Sequence, residues 1–129
     1  MLTRDQLLHP APLAVERVDL PAVGDAVFVR ELTLGERDRF EEAILTKPQP
    51  DYRAELLVRS LCDQDGKRLF TDGETKLFEE IGAARLQPAF ATAMRLSALR
   101  TSDLEELSKN WTGEPEGASS SGSPAISEE

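Results

Sequence analysis

Thiols and imidazoles are almost absent from this chain of 129 residues, in which Cys62 is the one cysteine and His9 the one histidine. A single cysteine excludes an internal disulfide framework and is typical of a reducing compartment. A single histidine excludes metal sites built from several imidazoles. Cys62 lies in an apolar run, which predicts a buried thiol. His9 lies beside a proline in a predicted loop, which favours an exposed side chain over a thiol–imidazole pair.

Long apolar runs are lacking as well. The N-terminal stretch from Met1 to Leu8 has nothing near the roughly 7–15 apolar residues of a signal peptide. No segment reaches the ~20 apolar residues that a membrane span needs. We therefore expect a cytoplasmic protein with no membrane contact.

Basic clusters are also missing, and the formal net charge is −9. The bases alternate with acids, as in Arg37-Asp38-Arg39. Binding to phosphate backbones depends on clustered Lys and Arg that release counterions, so we expect no nucleic-acid partner. The same alternation disfavours an acidic mimic of DNA, which needs its acids on one face.

Motifs that carry catalysis are absent from the sequence, which has no phosphate-binding glycine loop, nucleophile elbow or zinc-ligand spacing. The run Asp63-Gln64-Asp65-Gly66 resembles part of a calcium-binding loop. If Gly66 is the sixth position of such a loop, Leu61 occupies the first, where a carboxylate is essential. A turn is therefore the favoured interpretation. The many acids leave a carboxylate pair for acid–base chemistry open, but the sequence predicts a binding protein, not an enzyme, without cofactor or metal.

The composition changes after Trp111, where Gly, Ser, Pro and Glu dominate and Ile126 is the one large apolar residue. Such a segment cannot bury enough apolar surface to offset its ordering entropy. We predict one domain over residues 1–111, followed by a disordered acidic C-terminal tail over 112–129.

Local patterns predict the α+β fold class, with an N-terminal β-hairpin packed with a small bundle of about five short helices. Alternating apolar residues predict strands at 15–20 and 26–32, joined by a turn that contains Pro21 and Gly24. Capping boxes and 3.6-residue apolar periodicity predict the helices. Four of these helices span residues 3–8, 34–45, 51–62 and 103–110. Another opens at Thr71 and ends before Pro88, and a further one starts at Pro88. Residues 67–70 are predicted to be extended.

Aromatic and methionine side chains supply the candidate contact residues, because such side chains dominate the centres of protein interfaces and adapt to varied apolar partners. The candidates are whichever of Phe78, Phe90, Met94 and Trp111 prove exposed. Trp111 is the one tryptophan and lies where the predicted domain ends. It either anchors the core or serves as an interface aromatic.

Three runs of the sequence together resemble one family, the tail assembly chaperones of long-tailed bacteriophages and prophages. The resemblance covers most of residues 1–110. The runs are 27–33 leading into 35–41 (VFVRELT and GERDRFE), 60–63 through 66–72 (SLCD and GKRLFTD), and 94–97 with 103–110 (MRLS and DLEELSKN).

The resemblance implies a protein of the host cytoplasm, absent from the mature virion, that binds the tape measure protein and keeps it soluble while tail tube subunits polymerise. Members of this family often make a second, longer product by ribosomal frameshifting, whose extension recruits the tail tube protein, so the resemblance leaves such a product open for this chain. A structural tail or connector subunit of the virion remains an alternative of the same size and fold class. A small enzyme is disfavoured because the catalytic motifs are missing.

Overall fold

The structure, a computed structural model, describes residues 1–9 and 12–109. In these residues a three-stranded antiparallel sheet is combined with helices, which confirms the α+β class. The strands are β1 (Val15–Leu20), β2 (Asp25–Arg30) and β3 (Leu61–Cys62), in the order β1-β2-β3. The helices are α1 (Arg4–Leu8), α2 (Leu34–Thr46), α3 (Tyr52–Ser60), α4 (Ala83–Leu96) and α5 (Thr101–Lys109), with a 3-10 helix at Thr75–Phe78. Trp111 and the predicted tail lie outside the described residues.

The predicted hairpin is confirmed. β1 and β2 pair from Val15 opposite Arg30 to Leu20 opposite Asp25. Gly24, at φ +79°, closes the connection in the left-handed region that glycine adopts without strain. On one face of the hairpin Val18, Leu20 and Val29 are buried, as the alternation predicts.

Helix α2 begins with the predicted capping box. The Thr33 hydroxyl accepts a hydrogen bond from the Glu36 amide at 3.1 Å, and the Glu36 carboxylate accepts one from the Thr33 amide at 3.0 Å. Phe40 and Ile44 on the buried face are fully enclosed by the core. This helix packs against α3 and α5, and α4 is the helix that packs on β1 and β2.

Helix α3 ends at Ser60, so its predicted extension to Cys62 is wrong. Leu61 and Cys62 instead form β3 and pair with Val29 and Phe28 of β2. Both residues are buried, so an apolar stripe does not distinguish a last helical turn from a buried strand. Leu61 and Cys62 form a strand because the edge of β2 that does not face β1 is available for pairing. That edge consists of residues far from Leu61 in the sequence, so the local pattern does not reveal it. The buried Cys62 thiol matches the prediction.

The predicted helix from Thr71 to the residue before Pro88 is also wrong. Only half of its capping box forms, with the Glu74 carboxylate accepting from the Thr71 amide at 2.7 Å, and one 3-10 turn follows. Leu77 and Ile81 stay exposed and leave Phe78 as the buried apolar residue of the 3-10 turn. One buried side chain does not stabilise a long helix, and helical stability in proteins comes mainly from packing an apolar face.

Pro88 lies inside α4, which begins at Ala83, so the predicted break before the proline is wrong. Proline removes one helical hydrogen bond and disfavours helical conformation at the preceding residue. Here the apolar face continues through it, with Leu86 packed on the core and Ala89 and Ala93 buried. The burial of that continuous face outweighs the local preference.

Helix α5 begins at Thr101, two residues before the predicted start at Asp103. Asp103 accepts a hydrogen bond from the Arg100 amide at 2.8 Å, so its carboxylate satisfies a backbone donor that precedes the helix. Leu104 is buried, and Leu107 packs against the core, as predicted.

Charged side chains are buried beside this apolar core. Arg59 donates to the Glu55 carboxylate at 2.9 Å, and both are almost inaccessible to solvent. Lys47 contacts the second Glu55 oxygen, and Arg30 pairs with Glu36. Buried charges are tolerated only when paired and hydrogen-bonded, so this network fixes the relative positions of β2, α2 and α3.

Asp72 fixes the chain after β3 to two helices. Its carboxylate accepts from Arg39 of α2 at 2.8 Å and from Arg68 at 2.7 Å, and Arg59 of α3 lies 3.3 Å away. Burial acts to raise the pKa of Asp72, but the hydrogen bonds from Arg68 and Arg39 and the charges of Arg59 and Arg68 outweigh it. The pKa of Asp72 is therefore held below its ordinary value of 3.8.

This depressed pKa predicts a pH dependence of stability. The charged carboxylate contributes fully above the unfolded pKa, which is the ordinary value of 3.8, and the contribution disappears as the pH falls through the lower folded pKa. We expect Asp72→Asn to be less stable than wild type near about pH 6, and the difference to shrink as the pH falls below about 4. Urea denaturation at several pH values measures this. A difference that stays constant down to about pH 2.5 would contradict it.

Candidate functional site

A groove of about 560 Å³ lies between the start of α3, the middle of α4 and the start of α5. A shallower extension of about 400 Å³ continues it along α5 and shares Tyr52, Thr101 and Leu104 with it. The groove is lined by Pro50, Asp51, Tyr52, Arg53, Gln87, Phe90, Met94, Thr101 and Leu104. We call this depression and its extension the helix groove.

The floor of the helix groove is apolar. Phe90 and Met94 stand one turn apart on α4 and therefore share a face. Leu104 of α5 also lines the groove, and it and Met94 are buried, while Phe90 is half-buried. The three side chains together offer a continuous apolar surface that remains partly open to solvent.

The turn between α4 and α5 places Leu104 against α4. Ala98 adopts φ +55°, and its amide donates to the Arg95 carbonyl at 3.1 Å, while the Leu99 amide donates to the Met94 carbonyl at 2.8 Å. These two bonds form a Schellman motif, which reverses the chain direction at a helix end. The start of α5 is thereby brought to the groove.

Charges of both signs surround this apolar floor. The Arg53 guanidinium lies 5.6 Å from the centre of the Phe90 ring, within the range of a cation–π interaction. Asp51 caps α3 by accepting from the Ala54 amide at 3.2 Å. Glu105 and Lys109 line the extension. The rim therefore suits a partner whose apolar stripe is flanked by acids and bases.

A second, smaller cleft of about 210 Å³ lies on the other side of Arg53. Phe78, Ile81 and Leu86 line it. Phe78 is buried and meets Phe70 edge to face, with ring centres 5.0 Å apart. This side chain mainly stabilises the cleft wall and offers little surface to a partner.

The structure brings two of the predicted contact residues together. Phe90 and Met94 line the helix groove, Phe78 lines the neighbouring cleft, and Trp111 lies outside the described residues. Phe90 is the one among the three described candidates that is more than marginally exposed. Sequence reasoning missed Tyr52 and Arg53, because their position after the helix-capping Asp51 indicates the first turn of a helix and not a groove wall.

The loop after β3 is a turn, as predicted. The Asp63 carboxylate accepts from the amides of Asp65 at 2.8 Å and Lys67 at 2.9 Å, and Gly66 adopts φ +85°. Within residues 1–9 and 12–109, no group of three or more His, Cys, Asp or Glu side chains is arranged to hold a metal ion. Over the same residues, no helix combines the length and apolar character needed to cross a membrane.

No family model matches the chain, and comparison with curated proteins and with solved structures found no match. Within the described residues, we take the helix groove as the candidate binding site, because it places Phe90, Met94 and Leu104 in one open depression.

Proposed function

We propose that the protein is a phage tail assembly chaperone that binds an amphipathic helix of the tape measure protein in the helix groove. It acts in the host cytoplasm, keeps the tape measure protein soluble while the tail tube forms, and does not enter the mature virion. The observation that carries the proposal is the partly open apolar floor of Phe90, Met94 and Leu104 with charges of both signs around it.

The side chains on the groove floor support a helical occupant. An amphipathic helix binds by inserting apolar residues spaced three or four apart into an apolar groove. A floor with one aromatic, one methionine and one leucine suits this use, because methionine adapts its shape to different apolar neighbours.

Electrostatics support transient binding of such a helix. Arg53 and Lys109 can pair with acids beside the apolar stripe of the partner, and Asp51 and Glu105 with its bases. Such rim charges contribute more to orientation and association rate than to affinity. The net charge of −9 also opposes aggregation of the complex.

Co-expression tests the proposal. We expect the protein to raise the soluble fraction of a tape measure protein and to form a complex with it on a sizing column. Phe90→Ala should weaken the complex by about 1–2 kcal/mol, because it removes the most exposed apolar anchor. Gln87→Arg should weaken it as well, by placing a bulky charge on an exposed residue of the groove wall.

Gln64→Arg is the matched control. Gln64 is also an exposed glutamine, but it lies in the turn after β3 and does not line the helix groove. It should behave as wild type does. A tape measure protein that is equally soluble without this protein, with no complex formed, would contradict the proposal. Recovery of the protein from purified particles would favour the structural tail or connector subunit instead.

A further inference from the structure

Strand β1 has a free edge. It borders β2 on one side, and on the other side no strand among the described residues pairs with it. Its six residues Val15–Leu20 include three charged side chains. An edge strand exposes a row of backbone donors and acceptors that can pair with another chain.

The direction of the backbone groups along β1 follows from one hydrogen bond. The Glu31 amide donates to the Ala14 carbonyl at 3.0 Å, and these two residues lie opposite each other when the strand register is extended by one pair. Hydrogen-bonded pairs alternate with non-bonded pairs in an antiparallel ladder. The backbone groups of Val15, Arg17 and Asp19 therefore point away from β2, toward the free edge.

We propose that this edge pairs with the same edge of a second copy of the chain, antiparallel across a two-fold axis at Val18. In this register Arg17 stands opposite Asp19 of the second copy, and Asp19 opposite Arg17. Both pairs are hydrogen-bonding pairs, because both residues direct their backbone groups outward. The result is a continuous six-stranded sheet. The inference does not depend on the proposed function.

Charge selects this register over its neighbours. A shift of one strand by two residues in either direction places Arg17 opposite Arg17 or Asp19 opposite Asp19 of the second copy. Like charges directly opposite each other destabilise a strand pair, whereas opposite charges stabilise it. Charges on a free edge also prevent indiscriminate aggregation, so the same residues can both limit and direct pairing.

The side chains of Arg17 and Asp19 can replace their present ion pair with pairs to the second copy. Arg17 and Asp19 pair with each other on the same strand at 2.7 Å, but they are 61% and 74% exposed. An ion pair so exposed contributes little and is readily replaced by a pair across the new interface. On the opposite face Val18 is buried, so its contact with Val18 of the second copy would extend the core.

Helix α4 leaves room for the second copy. Arg95 of α4 donates to Glu16 of β1 at 2.6 Å, which places this side of the helix beside the free edge. The residues that share this side one to three turns earlier have compact side chains: Ala84, Pro88, Ala91 and Thr92. Small side chains allow two helices to approach closely above the shared sheet.

Sedimentation of the full chain from about 1 µM to about 1 mM tests the proposal. We expect a monomer–dimer equilibrium. R17D places Asp opposite Asp19 in both symmetric pairs, and D19R places Arg opposite Arg17, so each should raise the dimer dissociation constant about tenfold or more. The double variant R17D/D19R restores opposite charges and should return the constant to within about threefold of wild type.

Circular dichroism confirms that the variants remain folded, as exposed positions should allow. A chain that stays monomeric at all concentrations overturns the proposal. A dimer whose dissociation constant is unchanged by both R17D and D19R overturns the proposal too, because the interface then lies elsewhere. Failure of R17D/D19R to restore the dimer excludes this register.

Discussion

Replacing Phe40 by alanine is expected to lower the free energy of unfolding by about 3–5 kcal/mol. Phe40 has no solvent exposure and packs in the core cluster that also contains Ile44. Its truncation removes buried apolar surface and leaves a cavity that the surrounding helices fill only partly. For a domain of this size, each kcal/mol corresponds to roughly 4–8 °C of thermal midpoint, so the midpoint should fall by more than about 12 °C.

Urea denaturation measures this loss. Phe90→Ala is the matched control: it removes the same side chain from a half-buried position in the helix groove, and should therefore destabilise the protein clearly less than Phe40→Ala. Equal losses at both positions would show that Phe90 belongs to the core and not to an accessible groove.

Breaking the buried ion pair should have an effect of similar size. Arg59→Met removes the main partner of Glu55, which is 1% exposed. Among the described residues, Glu55 then keeps the surface residue Lys47 as its charged partner. Removing one member of a buried pair typically costs about 3–5 kcal/mol, because the remaining charge is left uncompensated. We expect a loss in this range at neutral pH, measured by urea denaturation.

Two further variants separate charge from packing. Arg95→Met removes the same charge from an exposed pair with Glu16, and should destabilise the protein far less than Arg59→Met does. The double variant Glu55→Leu/Arg59→Met replaces both buried charges by apolar side chains and should recover part of the loss. A single Arg59→Met variant as stable as wild type would contradict the role of the network.

Elements whose signals are local could be predicted from the sequence. The hairpin and α2 depend on alternation, a glycine turn and the Thr33 capping box, all of which lie within a few residues. The errors at Cys62, Thr71 and Pro88 have the opposite origin. In each case contacts with distant segments determine whether the chain adopts the secondary structure that the local sequence favours. Those contacts cannot be predicted from the neighbouring residues alone.

The candidate site was only partly predictable for the same reason. The spacing of Phe90 and Met94 places them on one helical face, but Leu104 reaches them through a turn in which Ala98 adopts a conformation usually left to glycine. The spacing of Glu55 and Arg59 likewise indicates an ordinary helical ion pair. That it is buried follows only from the packing of α3 against its neighbours.

Titration of the protein with a peptide from an amphipathic segment of a tape measure protein tests the central claim most directly. Isothermal calorimetry should show binding to the wild type and to Gln64→Arg with the same affinity. Binding to Phe90→Ala should be about 5- to 30-fold weaker, and binding to Gln87→Arg weaker than to Gln64→Arg. Equal affinity for all four proteins, or no binding to the wild type, would contradict the claim that the helix groove binds an amphipathic helix.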